Sequence, residues 1–183
     1  MSKKLVEGNY APNFIALDIN GNNVQLSDFK SKKIILSFYR NVNCPFCNRR
    51  IHQLMGLNLK LKSSGVQMIF MFESSNEKLL SSVFHKGISP WPLIGDPKKL
   101  VYEKYGVENS IIKTLNTFIS TNLIKAMNDV KPLQLPKDSA ASDTLIPADF
   151  FINEEFKIAK AHYGNHLDDH ISIETIKSFA GIR

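Results

Sequence analysis

The sequence predicts an α/β fold in which a central sheet with parallel strands is covered by helices on both faces. Two runs carry that expectation. Ile34 to Tyr39 (IILSFY) and Val66 to Phe72 (VQMIFMF) are nearly continuous apolar, β-branched and aromatic stretches of strand length, as expected for strands buried on both faces. Each is followed by a helical pattern, and strand alternating with helix is the arrangement that builds a parallel sheet. At 183 residues, the chain suits one domain over 1–183 with a full hydrophobic core.

In chain order, Phe14 to Ile19 reads as a short strand. Asn20-Gly21-Asn22 is its turn, and Val24, Leu26 and Phe29 lead to the first long strand. Pro45 fits the first turn of the helix that follows, where a missing N–H costs nothing. Cys47, Ile51, Leu54 and Leu61 share one face of it, and Gly65 ends it. Ser74-Ser75-Asn76-Glu77 has capping-box spacing and opens a helix to about Lys86. Trp91 to Gly95 is a short extended piece, after which Asp96-Pro97 predicts the cap and first position of a helix to Tyr105. Residues 107–146 break the rhythm and read as an insertion. Asn109 to Met127 is helical, with Ile112, Leu115, Ile119, Leu123 and Met127 on a stripe that covers either the core or a homodimer seam, and Lys131 to Thr144 is loop. Phe150-Phe151-Ile152, the Asn153-Glu154-Glu155 turn and Phe156 to His162 form a hairpin. Ser172 to Ala180 closes the chain as a helix with Ile173, Ile176 and Phe179 inward.

Charge and cysteine usage narrow the function classes. The net charge is +6 and the pI about 9.3, but the basic pairs Lys3-Lys4, Lys32-Lys33, Arg49-Arg50 and Lys98-Lys99 are dispersed over separate elements. That pattern is a solvated basic surface rather than a nucleic-acid footprint. No run approaches a membrane span, and the opening residues break off before an apolar stretch of signal-peptide length, so a cytoplasmic location is expected. In that compartment, two cysteines spaced C-x-x-C mean catalysis, redox sensing or metal binding rather than a structural bridge.

Those cysteines are Cys44 and Cys47, in Cys44-Pro45-Phe46-Cys47 between a buried strand and a helix start. Unpaired N–H groups and the positive dipole end at a helix start stabilise a thiolate, the reactive form of cysteine. Because Cys47 falls on the core-facing stripe, Cys44 is expected to be the exposed nucleophile and Cys47 the resolving thiol that closes a Cys44–Cys47 disulfide. Zinc would need two further ligands and no second C-x-x-C exists, although His52 lies nearby. Haem attachment needs His after the second cysteine, where Asn48 stands. His162, His166, Asp168, Asp169 and His170 form a polar cluster with no recognised metal-ligand spacing, so neither metal nor cofactor is expected.

The order of these pieces resembles the thioredoxin fold, a three-layer sandwich with a mixed sheet. Ala11-Pro12-Asn13-Phe14, Val24 to Phe29, Pro92-Leu93-Ile94-Gly95-Asp96-Pro97, Tyr105-Gly106-Val107, and Leu145 to Phe150 together resemble the alkyl hydroperoxide reductase/thiol-specific antioxidant (peroxiredoxin) family, in its C-x-x-C branch. The resemblance implies a peroxidase in which Cys44 attacks a hydroperoxide, Cys47 resolves, and a thioredoxin-like reductant recycles the pair. The sequence departs from the family's Pro-x-x-x-Thr-x-x-Cys pattern at Ser37 and Asn41, and Pro147 stands where an arginine is usual. Pro147 instead resembles the thioredoxin proline that faces the dithiol, which keeps a disulfide oxidoreductase open as the alternative. A non-enzymatic redox sensor or interaction protein using the insertion is a further class. Candidates for tuning or lining the pocket are Arg40, Arg49 and Arg50, any of which would lower the thiol pKa if turned inward, together with Asn41 in place of the threonine, Pro45, Pro147, Trp91 as packed aromatic or substrate platform, and Tyr163.

Overall fold

A computed structural model describes residues 3–88, 91–120 and 123–182. Five strands form one sheet in the order β5-β4-β3-β6-β7: β3 (Ile34–Tyr39), β4 (Gln67–Phe72) and β5 (Leu93–Gly95) run parallel, while β6 (Ala148–Ile152) and β7 (Ile158–Tyr163) are antiparallel additions. A separate ribbon, β1 (Ile15–Leu17) with β2 (Asn23–Gln25), precedes them. Every residue of β3 is buried, as its sequence demands.

Side-chain alternation splits the core in two. Ile35 and Tyr39 of β3, Met68, Phe70 and Phe72 of β4, and Phe151 of β6 meet α1 (Pro45–Met55), α2 (Asn58–Ser63) and α8 (Ile173–Ala180) on one face. Ile34, Leu36 and Phe38, with Ile69, Met71 and Phe150, meet α5 (Leu100–Lys104), Tyr105 and the N-terminal segment on the other. The mixed sheet with helices on both faces is the predicted three-layer sandwich, and both cysteines belong to the α1 face.

Several predicted helices are shorter than their patterns. The one after the dithiol ends at Met55 and restarts at Asn58, because Gly56 is a poor helix former and Leu57 leaves helical geometry at φ −104°, ψ 2°. Cys47, Ile51, Leu54 and Leu61 nevertheless share the buried face. The segment after Ser75 divides into α3 (Asn76–Leu80) and α4 (Val83–Lys86), since the Ser82 hydroxyl accepts the His85 backbone N–H at 3.3 Å and shares a hydrogen bond with its imidazole Nδ1 at 2.8 Å, a cap that starts a new turn. Pro97 is not helical. Lys99 sits in the left-handed region at φ 57°, and Asp96 caps α5 from a distance through the Leu100 and Val101 N–H groups, 3.1 and 2.7 Å away.

The insertion leaves and returns through a narrow neck. Asn109 bridges Leu145, and Ser110 N–H reaches Thr144 O at 2.8 Å. Between them the predicted helix is two, α6 (Ile111–Ser120) and α7 (Leu123–Val130); Thr121, Asn122 and the Leu123 side chain lie outside the described residues. The stripe does not cover the core. Ile112, Leu115, Ile119 and Met127 are all more than half exposed, and among the described side chains of the two helices the buried ones are Thr117 and Ala126. Ala126 packs on the α1 face of the core, so the insertion is applied against α1.

Candidate active site

Where β3 ends, the chain turns through Asn41–Asn43 into α1, and the turn is fastened from within. Asn48 donates its amide to the carbonyls of Val42 and Cys44, both at 2.8 Å, and Ser74 Oγ takes the Val42 N–H at 2.8 Å. This places Cys44 at the N-cap of α1 with Pro45 in the first turn, and its Sγ accepts the Cys47 N–H at 3.4 Å. The Cys47 thiol donates to Cys44 Sγ across 2.7 Å and both cysteines are free. A disulfide needs about 2.05 Å, so closing one asks for side-chain torsion rather than backbone rearrangement.

The two thiols are polarised in opposite directions. Burial acts to raise the Cys44 pKa, but the Cys47 thiol hydrogen bond, the Arg40 charge and the Cys47 and Phe46 N–H groups outweigh it and bring Cys44 down to about 7. Cys47 is pushed well above its ordinary value by burial, by its hydrogen bond to Cys44 and by the neighbouring thiolate charge. The electrostatics therefore favour the thiolate at Cys44 over one at Cys47. The predicted exposure of Cys44 is not met. It is only 2% accessible against 0% for Cys47, because Arg40 and the insertion close over it; the difference between the thiols is electrostatic.

Of the three arginines, only Arg40 reaches the thiol. Its Nη1 lies 3.8 Å from Cys44 Sγ, while Nη2 donates to the Asp143 and Ser142 carbonyls at 3.1 and 3.4 Å. Arg49 pairs with Asp168 and lies over the Phe46 ring, and Arg50 turns into the core to donate to the Ile171 carbonyl. Asn41 contributes its backbone carbonyl to the Cys44 N–H at 3.2 Å, whereas its side-chain Oδ1 is buried without a partner. Among the described residues no hydrogen bond runs from its side chain to the Cys44 sulfur. Pro147 is buried one residue beyond the Phe38–Ala148 pair, at the sheet end from which α1 departs, with its carbonyl held by Gly164 N–H at 2.9 Å.

Two predicted pocket residues belong elsewhere. Trp91 precedes β5 and borders Gly65, Val66 and Gln67, at the opposite end of the parallel strands from the dithiol; it is packed core. Tyr163 faces the other side of the sheet. Its hydroxyl takes the Leu5 N–H and donates to Tyr105 O, each at 2.7 Å, tying down the N-terminal segment.

Sequence reasoning missed three supports. Asn48 holds the turn, with a legible signal in its i+4 spacing from Cys44. Glu73, only 4% exposed, accepts from Lys99 at 3.0 Å and from the Ser142 N–H at 3.1 Å, holding the end of the insertion beside Arg40. Asp149 is the third. Opposite Ser37 in register and fully buried, it takes His170 Nδ1 at 3.1 Å and Ile171 N–H at 3.0 Å. Burial acts to raise its carboxyl, but His170, Arg50 and Ser37 hold it well below the usual carboxylate range. Ser37, a departure from the family pattern, thus sits beside a buried carboxylate. His170 stacks against Tyr39 at 4.8 Å between ring centroids, while His162 pairs with Asp169 at 3.2 Å and His166 Nδ1 takes the Asp168 N–H, so the polar cluster is distributed among structural contacts.

Among the described residues, no three His, Cys, Asp or Glu side chains stand together as a metal set, and no helix is long and apolar enough to cross a membrane. Comparison with known proteins gives a consistent picture. The profile of the AhpC/TSA family matches residues 8–161. The thiol-disulfide oxidoreductase ResA of Bacillus subtilis is 24% identical over 142 residues, 71% of this chain and 79% of ResA. The chloroplastic peroxiredoxin Q of Triticum aestivum is 29% identical over 113 residues, 61% of this chain and 51% of the wheat protein. Among solved structures, peroxidoxin BcpB of Mycobacterium tuberculosis superposes with a TM-score of 0.68 at 16% identity, covering 98% of this chain and 99% of its own.

Proposed function

The chain belongs to the AhpC/TSA family, and from that premise we propose that it is a thiol-dependent peroxidase reducing hydroperoxides through Cys44. In the first step the Cys44 thiolate attacks the terminal peroxide oxygen. The S–O bond forms, the O–O bond breaks, and the departing alkoxide or hydroxide takes up a proton, leaving a sulfenic acid on Cys44. Cys47 then attacks that sulfur, its thiol proton and the hydroxyl leave as water, and the disulfide forms. An external thiol reductant, of thioredoxin type by the family resemblance, returns both residues to thiols, a cycle suited to the reducing cytoplasm.

The observation that carries this reading is the polarised pair: a buried Cys44 with a pKa of about 7, Arg40 at 3.8 Å and the Cys47 sulfur at 2.7 Å. At neutral pH such a thiol is about half ionised, against roughly 3% for an ordinary cysteine. The same pair supports a second reading as a dithiol–disulfide oxidoreductase. Pro147 lies at the sheet end beside α1, and no hydrogen bond from the Asn41 side chain to the Cys44 sulfur is found among the described residues.

Stopped-flow oxidation of the reduced protein by hydrogen peroxide, set against its rate of insulin-disulfide reduction, tests the choice. The peroxidase reading expects oxidation far faster than that of free cysteine, abolished by Cys44→Ser, with Cys47→Ser trapping the sulfenic acid. Peroxide reactivity no greater than free cysteine's, together with rapid insulin reduction, would give the site to disulfide exchange.

A further inference from the structure

Helix α6 is built inside out. Ile111, Ile112, Leu115, Phe118 and Ile119 recur at i, i+1, i+4, i+7 and i+8, one face of a helix, and that face points to solvent with each side chain between 58 and 88% exposed. The inward side is polar. Thr117 is buried and accepts the Leu167 N–H at 2.9 Å, while Lys113 donates to the Gly164 carbonyl at 2.8 Å and pairs with Glu108 at 2.7 Å. These three bonds to other segments fix the rotation of the helix about its axis, so the apolar face is held outward. Packing of the insertion on α1 is left to α7, through Ala126.

Area and charge together select what covers this face. Five side chains so exposed leave on the order of 700 Å² of apolar surface in water, above the roughly 300–600 Å² of the largest patch on an ordinary monomer and near the roughly 800 Å² each partner gives to a standard interface. Lys113 is the single charged residue of α6, and Glu108 matches its charge on the inward side. A helix that lies on a lipid surface carries Lys or Arg along its polar face, where α6 has the neutral Thr114, Asn116 and Thr117. A partner of opposite charge finds nothing to read there either. The chain itself carries +6, so two copies repel over most of their surface and approach best through an uncharged face. We propose that α6 docks on α6 of a second copy of this chain, apolar face to apolar face, about a twofold axis at Leu115, the midpoint of the 111–119 stripe. The pair removes about 1,400 Å² from water, within the range of a stable dimer, and its core is the wholly apolar kind found between identical subunits.

Light scattering on the full chain in dithiothreitol tests this, because the reductant removes any dimer linked through sulfur. The mass should approach twice 20.7 kDa as the protein is concentrated to about 100 µM. The double variant Ile112→Glu, Ile119→Glu should weaken association at least about a hundredfold, since docking would bury unpaired carboxylates, and should keep its circular dichroism spectrum because both side chains are exposed in the single chain. In a Cys44→Ser, Cys47→Ser background, Leu115→Cys should cross-link to its own copy under mild oxidation far ahead of Leu59→Cys, which is equally accessible but on α2. A single mass at every concentration overturns the proposal, and so does a dimer that the double variant leaves intact or a Leu115→Cys chain that cross-links no faster than Leu59→Cys. A chain of single mass that binds vesicles of anionic phospholipid, and loses them in the double variant, would give the face to a lipid surface instead. None of these outcomes depends on the chemistry at Cys44.

Discussion

Arg40 sets the reactivity of Cys44 and at the same time latches the insertion, because one guanidinium meets the thiol sulfur with Nη1 and the Ser142 and Asp143 carbonyls with Nη2. After the Cys47 hydrogen bond, its charge is the next influence that separates this thiol from an ordinary buried cysteine, whose pKa would rise. Removing it therefore moves the Cys44 pKa upward from about 7. Alkylation by iodoacetamide against pH should show a midpoint near 7 in the native protein. In Arg40→Gln it should stand about one unit higher, with a rate at pH 7 lowered severalfold to tenfold, and Arg40→Lys should recover most of the shift. An unmoved midpoint in Arg40→Gln would assign the activation to the Cys47 hydrogen bond and the helix N–H groups alone. Cys44 and Cys47 were legible from spacing and placement, and Arg40 was legible as one of three arginines. What selects it is geometry: it lies at the end of β3, before the turn, while Arg49 and Arg50 already ride on α1 and point to Asp168 and Ile171.

At the scale of elements, strands were more legible than helix ends. The β3 and β4 runs are buried on both faces, so composition alone identifies them. Helix ends turn on single side-chain bonds, such as Ser82 capping toward His85, which apolar periodicity does not register. Periodicity also gives an apolar stripe without saying which side water occupies, and α6 illustrates the consequence. Ile112, Leu115 and Ile119 are 74, 58 and 88% exposed, while Thr117, donating to Lys113 O and accepting the Leu167 N–H, is the buried residue. The triple variant Ile112→Ser, Leu115→Ser, Ile119→Ser should therefore cost no more than about 1.5 kcal/mol in urea denaturation at low protein concentration. A buried set of this size would cost about 6 kcal/mol or more. A loss of the larger size would place the stripe in a packed interface.

Across the whole molecule, Asp149 is the point at which the layers are joined. Its carboxylate on β6 meets His170 and Ile171 from the segment before α8, while Ser37 of β3 and Arg50 of α1 act on the same charge. Tyr39 belongs to the same face of the core as the dithiol, and its ring packs on His170. A charged residue inside the ADFFI strand was a visible irregularity in the sequence, but only its partners explain it. The carboxyl is held well below its unfolded value of about 3.9, so its contribution is complete above that pH and is lost as the pH falls below it. Thermal unfolding from pH 7 to pH 3 should accordingly show the native midpoint dropping steeply below about pH 4. Asp149→Asn should be less stable by about 3 kcal/mol at pH 7, because Arg50 loses a buried counter-charge and the His170 Nδ1 and Ile171 N–H groups lose their carboxylate acceptor, and should show a flatter acid limb. Equal acid limbs in the two proteins would place the acid-sensitive carboxylate elsewhere.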